Sequence, residues 1–443
     1  MKKYIACLLA VLVLTVQLCQ PAFAVGPAAA SEAYLVADAD TGQVLISANM
    51  DVRKNPASIT KVMILGLACE KAQGNWNVQL TVSHEAVYSL VGTGSSHIAL
   101  LENEVVTLEQ MLYAAELFSA NDAANVLAEY VSADGTIAGG VEAMNAKADQ
   151  LGLQNTHFTN PHGITDPQHY TTAADMAVIL RWALQQPGFE QLFCATGSYT
   201  IPPTNLQSEP RYVSLKDYIR LPGKAYAYVP EVIGSKTGYT DDARYTYVCL
   251  AQKDGMRLIC VTLHGQQRTD KFSDVKTLLN YTFSNFRRVE IPGGKTAKIP
   301  VVGGGPELGQ LTYTAPVAQL LLHNDLSPHQ VTVQLNVPER YVLGQPFEAT
   351  AVYTVEGMGL QNSSPTAVAL QTTGLEEVLQ GKVGMALATS ADVTPAKSLV
   401  LQLAVGVAVG LGLLFAGVKF FGIGRYNRTR STAKNWQMEL RNR

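Results

Sequence analysis

Two residues near the start of the chain have the types and spacing of a nucleophile and its base. Ser58 and Lys61 lie in Ala57-Ser58-Ile59-Thr60-Lys61-Val62-Met63. Pro56 precedes them, and Val62, Met63, Leu65 and Leu67 follow, which predicts a helix start running to about Lys71. Three apart, the two side chains share one helix face. A serine hydroxyl is a poor nucleophile until a neighbouring base takes its proton. A lysine serves as that base where burial and nearby cations leave it neutral part of the time. The helix N-terminus favours negative charge developing near Ser58. Alone, the pair is a weak signal, and the blander reading, an N-capping serine and a solvated lysine, is the commoner one. Two more short motifs follow in chain order, Ser119-Ala120-Asn121 and Lys236-Thr237-Gly238.

The elements that must position them are legible from pattern. Apolar runs at 33–37 and 43–47 flank Asp38-Ala39-Asp40-Thr41-Gly42, a β-hairpin signal. Residues 80–82 and 96–100 read as brief extended pieces. Leu108, Met111, Leu112, Ala115 and Phe118 keep helical spacing. That helix ends at Ser119-Ala120-Asn121, and a second begins with Asn121-Asp122 as its cap. Further helices are expected from about Gly140 to Leu151 and from Thr172 through Trp182, the latter with a capping-box-like start at Thr172 and Asp175. Residues 193–228 show no regular pattern. A strand over 229–235 leads into Lys236-Thr237-Gly238. Runs at 245–251 and 256–263 form a hairpin around Asp254-Gly255, in a register that sets Cys249 opposite Cys260. There a disulfide and two free, packed thiols are both open. A helix follows over about 269–286. Strands at both sequence ends bracket a helical middle, so the expected core is one antiparallel sheet flanked by helices, an α/β (α+β) sandwich.

The chain has 443 residues, more than one ordinary core requires. Its net charge of −3 points to no particular partner, and no nucleic-acid partner is expected. Residues 1–24 read as a secretory signal: Lys2 and Lys3, an apolar run, then Ala22-Phe23-Ala24. Residues 25–288 form the expected catalytic domain. From 289 helical periodicity gives way to glycines and short β-rich runs, so 289–375 is expected to be a small all-β domain. Residues 376–397 read as a stalk. Residues 398–418 carry no charge and are long enough to span a bilayer as one transmembrane helix. Residues 419–443 hold seven Lys or Arg against the single acid Glu439, which places that tail in the cytoplasm and the body of the chain outside the membrane.

The three motifs, in this order and behind a secretory signal, resemble those of the serine penicillin-binding proteins and active-site-serine β-lactamases. Longer stretches resemble the low-molecular-mass D-alanyl-D-alanine carboxypeptidases: Pro56 to Met63, Ser119-Ala120-Asn121-Asp122-Ala123-Ala124, Asn160-Pro161-His162-Gly163-Ile164, and Gly234-Ser235-Lys236-Thr237-Gly238-Tyr239-Thr240. The resemblance implies a penicillin-binding-protein/β-lactamase-like sandwich and a reaction on peptidoglycan stem peptides. Ser58 would attack the penultimate D-alanine carbonyl, with Lys61 as base and Ser119 relaying a proton to the leaving amine. Asn121 would bind the substrate backbone. Lys236, Thr237 and Lys271 would hold the terminal carboxylate. Gly238 would let the substrate add to the strand edge, and the oxyanion would sit between the backbone N–H groups of Ser58 and Tyr239. The family often has arginine where Lys271 stands, and lysine keeps the charge but loses the bidentate fork. β-Lactam antibiotics would acylate the same serine. No metal and no cofactor is implied.

Other readings stand beside this one. A β-lactamase or a peptidoglycan DD-endopeptidase would carry the same motifs, and an inactive cell-wall-binding module would lack Ser58 or Lys61. His157, His162, Asp166 and His169 suggest a metal site, but the resemblance makes them a structural loop. Glu116 and Asp122 read as helix-end and cap residues, and Tyr245 and Tyr247 as packing on the sheet.

Overall fold

The computed structural model of the chain describes residues 26–302, 307–342, 350–355, 366–369 and 371–373. The signal at 1–24, the stalk, the apolar segment 398–418 and the basic tail lie outside them. β1 (Ala33–Asp38) and β2 (Val44–Ala48) form the expected hairpin. A single 3-10 turn, Ala57–Thr60, then leads into α1 (Lys61–Ala72). β3 (Gln79–Thr81), α2 (His84–Tyr88) and β4 (Val105–Thr107) follow, then the helices α3 (Leu108–Leu117), α4 (Asn121–Val131) and α5 (Ile137–Gln150). α6 (Ala173–Ala183), α7 (Phe189–Phe193) and the hairpin β5 (Ser198–Ile201) with β6 (Arg211–Ser214) come next. The long strands β7 (Val232–Thr240), β8 (Arg244–Lys253) and β9 (Met256–Gly265) precede α8 (Asp270–Asn285).

These strands build one antiparallel sheet in the order β2-β1-β9-β8-β7, with β7 at an edge. Side chains alternate between its faces. Leu35, Val248, Leu250, Ile259 and Val261 enter a buried cluster with α1, α3, α4 and α6. Val36, Tyr247, Cys249, Leu258 and Cys260 enter another with Phe272, Val275, Leu278 and Leu279 of α8. Helices therefore cover both faces, as the pattern predicted. The β8–β9 hairpin turns on Asp254-Gly255, at φ 49° and 77°, and Cys249 pairs with Cys260. Both thiols are free and buried.

Three local expectations are corrected. The partner of β3 is β4, while 96–100 makes no strand; Ile98 and Leu100 instead donate their N–H groups to the Asp122 carboxylate. Asp122 is thus an internal anchor, and the N-cap of α4 is Ala120, with no side-chain cap bond. Thirdly, 193–228 is ordered: it holds β5, β6 and a 3-10 turn at Tyr218–Arg220.

After α8 the described elements are strands and one 3-10 turn, Pro328–Gln330: β10 (Phe286–Ile291), β11 (Thr296–Val302), β12 (Glu307–Thr314), β13 (Ala318–His323), β14 (Val331–Asn336), β15 (Tyr341–Val342), β16 (Thr350–Val355), β17 (Thr366–Ala369) and β18 (Gln371–Thr373). The chain divides into two compact units. The first holds the helices, the five-stranded sheet, the pair β10-β13 and the sheet β14-β16-β17; Ile291, Leu320, Leu322, Ala351 and Tyr353 form a core of its own among those later strands. The second holds the sheet β15-β11-β12-β18. Among the described residues no helix is long and apolar enough to cross a membrane.

Candidate active site

Ser58 sits in the 3-10 turn, not in the helix proper, and the residue before it, Ala57, has φ 51°. A non-glycine residue there is strained. Two contacts hold it. Thr60 Oγ1 donates to Ala57 O at 2.8 Å, and Gly163 packs so tightly on Ala57 that a Cβ at 163 would lie 1.8 Å from that carbonyl oxygen. The strained turn aims Ser58 into the cleft while α1 carries Lys61 into the interior.

Lys61 is wholly buried, and its Nζ is hydrogen-bonded to Ser58 Oγ at 3.1 Å, Asn121 Oδ1 at 2.7 Å and the His162 carbonyl at 2.9 Å. Burial lowers its pKa well below the usual lysine value. The charge of Lys236 lowers it further, and Asp122 and Glu116 pull weakly the other way. A lysine so placed gives up its proton readily and can accept one from Ser58. The first element of the sequence reading is therefore assembled in space: nucleophile, base and the asparagine of the second motif form one hydrogen-bonded cluster.

The cleft above it holds about 400 Å³ and is lined by Ser58, Ser119, Lys236, Thr237, Gly238, Tyr239 and Lys271, among others. Every site residue expected from the sequence thus lines this cleft or, like Lys61 and Asn121, is buried directly beneath it. Ser119 is in the left-handed region at φ 59°, and its buried hydroxyl has no hydrogen-bond partner among the described residues. Lys236 is 3 % exposed on β7. Gly238 has a second reason to be glycine: a Cβ there would lie 2.9 Å from Ser58 N and 2.3 Å from Thr246 Oγ1. The nucleophile's turn is seated against the strand at this point. Tyr239 is exposed at the rim with its ring 4.6 Å from that of Tyr245.

Several cleft residues escaped the sequence reading. Lys216 and Asp217 come from the stretch that showed no pattern. The buried Asp217 carboxylate accepts from Ser235 Oγ at 2.6 Å and Tyr247 Oη at 2.7 Å, tying the wall to the sheet. Arg268, three residues before Lys271 and just ahead of α8, also lines the cleft, with its guanidinium 4.5 Å from the centre of the Tyr218 ring. Glu116, at the end of α3, proves to be a cleft residue too. The histidine loop fastens the nucleophile's turn. His162 lends its carbonyl to Lys61, and the His169 ring meets Thr60 Oγ1 at 2.9 Å. Burial pushes the His169 pKa down to about 4. His157 and Asp166 are held by bonds within the loop, to the Gln168 carbonyl and N–H respectively.

Fold and site together define a penicillin-binding-protein-type α/β domain with a serine–lysine centre. A profile of the family described as D-alanyl-D-alanine carboxypeptidase, peptidase S11, matches residues 20–267, and the chain belongs to that enzyme family. D-alanyl-D-alanine carboxypeptidase DacF of Bacillus subtilis is 31 % identical over 293 residues, which covers 66 % of this chain and 72 % of the relative. Among solved structures, penicillin binding protein 5 of Haemophilus influenzae is 25 % identical with a TM-score of 0.59, covering 78 % of this chain and 97 % of that one. The Streptomyces K15 DD-transpeptidase is also 25 % identical, with a TM-score of 0.53 over 58 % of this chain and 99 % of its own.

Proposed function

We propose that this chain is a membrane-anchored D-Ala-D-Ala carboxypeptidase that removes the terminal D-alanine of peptidoglycan stem peptides through an acyl-enzyme on Ser58. The observation that carries the reading is the buried Lys61 amine, 3.1 Å from the Ser58 hydroxyl and stripped of solvent. Lys61 takes the Ser58 proton as Oγ bonds to the penultimate D-alanine carbonyl carbon. The oxyanion is met by the N–H groups of Ser58 and Tyr239, each such donor being worth roughly 3 kcal/mol. The C–N bond breaks, the proton passes by way of Ser119 to the departing D-alanine amine, and water then cleaves the ester. The excess of cations around the cleft (Lys216, Lys236, Arg268 and Lys271) suits a substrate that ends in a free carboxylate. The position of β7 at the end of the sheet suits a peptide that adds as a strand.

β-Lactams present a carboxylate and a reactive carbonyl to the same groups and are expected to acylate Ser58. The signal at 1–24, the uncharged segment 398–418 and the basic tail support a single-pass protein with its catalytic unit on the extracytoplasmic side. The test is D-alanine release from a stem-peptide mimic ending in D-Ala-D-Ala, with Ser58→Ala as control. Release by the native chain alone supports the reading. A native chain that opens penicillin with fast turnover and leaves the peptide intact would make it a β-lactamase.

A further inference from the structure

Glu116 occupies a place that a structural acid does not need. It lies one helical turn before Ser119, is 2 % exposed and lines the cleft. Neither carboxyl oxygen has a hydrogen-bond partner among the described residues. A buried acid is normally paired, because an unpaired one costs several kcal/mol. The charged groups that act on it are Lys236 on β7, most strongly, then Arg220, Asp217 and Lys61.

Three of these four are engaged elsewhere. Arg220 donates to the carbonyls of Phe193, Cys194 and Ala195. Asp217 holds Ser235 and Tyr247. Lys61 holds Ser58, Asn121 and the His162 carbonyl. Lys216, Arg268 and Lys271 also line the cleft, and the charge of Lys216 acts on Lys236 as well. Lys236 is thus the cation whose charge Glu116 shares with whatever enters.

We propose that Glu116 is a positioning residue that sets how strongly Lys236 captures the substrate's terminal carboxylate. A neutral Glu116 leaves the Lys236 charge free for the ligand, and an ionised Glu116 competes for it and repels the incoming anion. This rests on the assignment of Lys236 to carboxylate binding made above. Burial holds the Glu116 carboxyl protonated far beyond the ordinary range, with its pKa up to about 7, so both forms coexist near neutrality. Substrate binding then takes up a proton on Glu116, and by linkage affinity falls as pH rises.

The experiment is steady-state turnover by the full chain in detergent between pH 5.5 and 8.5, read as release of the C-terminal residue. The substrates are a stem-peptide mimic ending in a free carboxylate, which releases D-alanine, and its C-terminal amide as control, which releases D-alaninamide. For the native chain KM for the acid should rise at least about five-fold from pH 6 to 8, a coupling of ordinary allosteric size. KM for the amide should stay flat. In Glu116→Gln, KM for the acid should remain low and flat, with the change falling on KM more than on kcat. Glu116→Met serves as a second neutral variant if the amide side chain impairs folding. A native KM that does not change with pH, or a pH dependence that survives in both variants, overturns the proposal. So does an equal loss of kcat and kcat/KM at every pH, the mark of a merely structural acid. Absence of D-alanine release by the native chain at any pH has its own signature and overturns the underlying function as well.

Discussion

Replacing Gly238 by alanine tests how the sheet holds the nucleophile. The added Cβ would lie 2.3 Å from Thr246 Oγ1, 2.9 Å from Ser58 N and 3.0 Å from Pro56 O, where ordinary contact begins at 3.4 Å. Thr246 cannot readily turn aside. It is the cross-strand partner of Gly238, and its hydroxyl donates to Pro56 O at 2.7 Å. The movement therefore falls on the turn that carries Ser58, which must retreat by several tenths of an ångström. Overpacking of this kind costs about 1–3 kcal/mol in stability. Displacing a reacting atom by about 1 Å costs on the order of 100-fold in rate. Acylation by a fluorescent penicillin, followed by stopped flow, should slow on the order of 10-fold in Gly238→Ala. The melting temperature should fall by about 2–10 °C. Acylation within three-fold of the native rate, at an unchanged melting temperature, would refute the seating of the Ser58 turn on β7.

Three further outcomes follow from particular contacts. Lys61→Met should fold, since it replaces a buried amine with an apolar side chain of similar length, yet lose at least about 1000-fold in acylation; adduct formation by mass spectrometry beside circular dichroism checks both halves. His169 has a folded pKa of about 4 against 6.5 unfolded, so the unfolded chain gains protons first as pH falls and stability is lost between those values. The loss approaches about 3 kcal/mol, and urea titrations from pH 7 to 4 should show it shrink in His169→Gln. Arg211 pairs with the wholly buried Glu104 carboxylate at 2.7 Å and 2.9 Å. Arg211→Met leaves that charge unpaired and should destabilise by about 3–5 kcal/mol, read from the urea midpoint.

What the sequence disclosed was what is local. The Ser58–Lys61 spacing, the Asp254-Gly255 turn with its Cys249–Cys260 register, and the spacing of α3 are all set within a dozen residues or so. The resemblance then joined motifs that spacing alone could not, bringing Asn121 to Lys61 across 60 positions. The remainder depends on folding at long range. Asp122 has the residue type of a cap, and only the packing of 96–100 over α4 makes it an anchor for Ile98 and Leu100. Glu116 sits at a helix end like many acids, and only the docking of β7 brings it under the charge of Lys236. Lys216 and Asp217 follow the short strand β6, whose pairing with β5 was not visible as a pattern. Gly238 was recognised as a motif residue, but its contact with Ser58 N required the turn and the strand to be placed together.

The central claim is that Ser58, activated by Lys61, forms an acyl-enzyme. Intact-mass spectrometry of the full chain with benzylpenicillin, followed over time beside Ser58→Ala, tests it most directly. The account predicts an adduct of one drug mass that persists for minutes in the native chain, maps to the peptide holding Ser58 and is absent from the variant. A folded native chain that gains no mass, or an adduct that forms equally in Ser58→Ala, would contradict it.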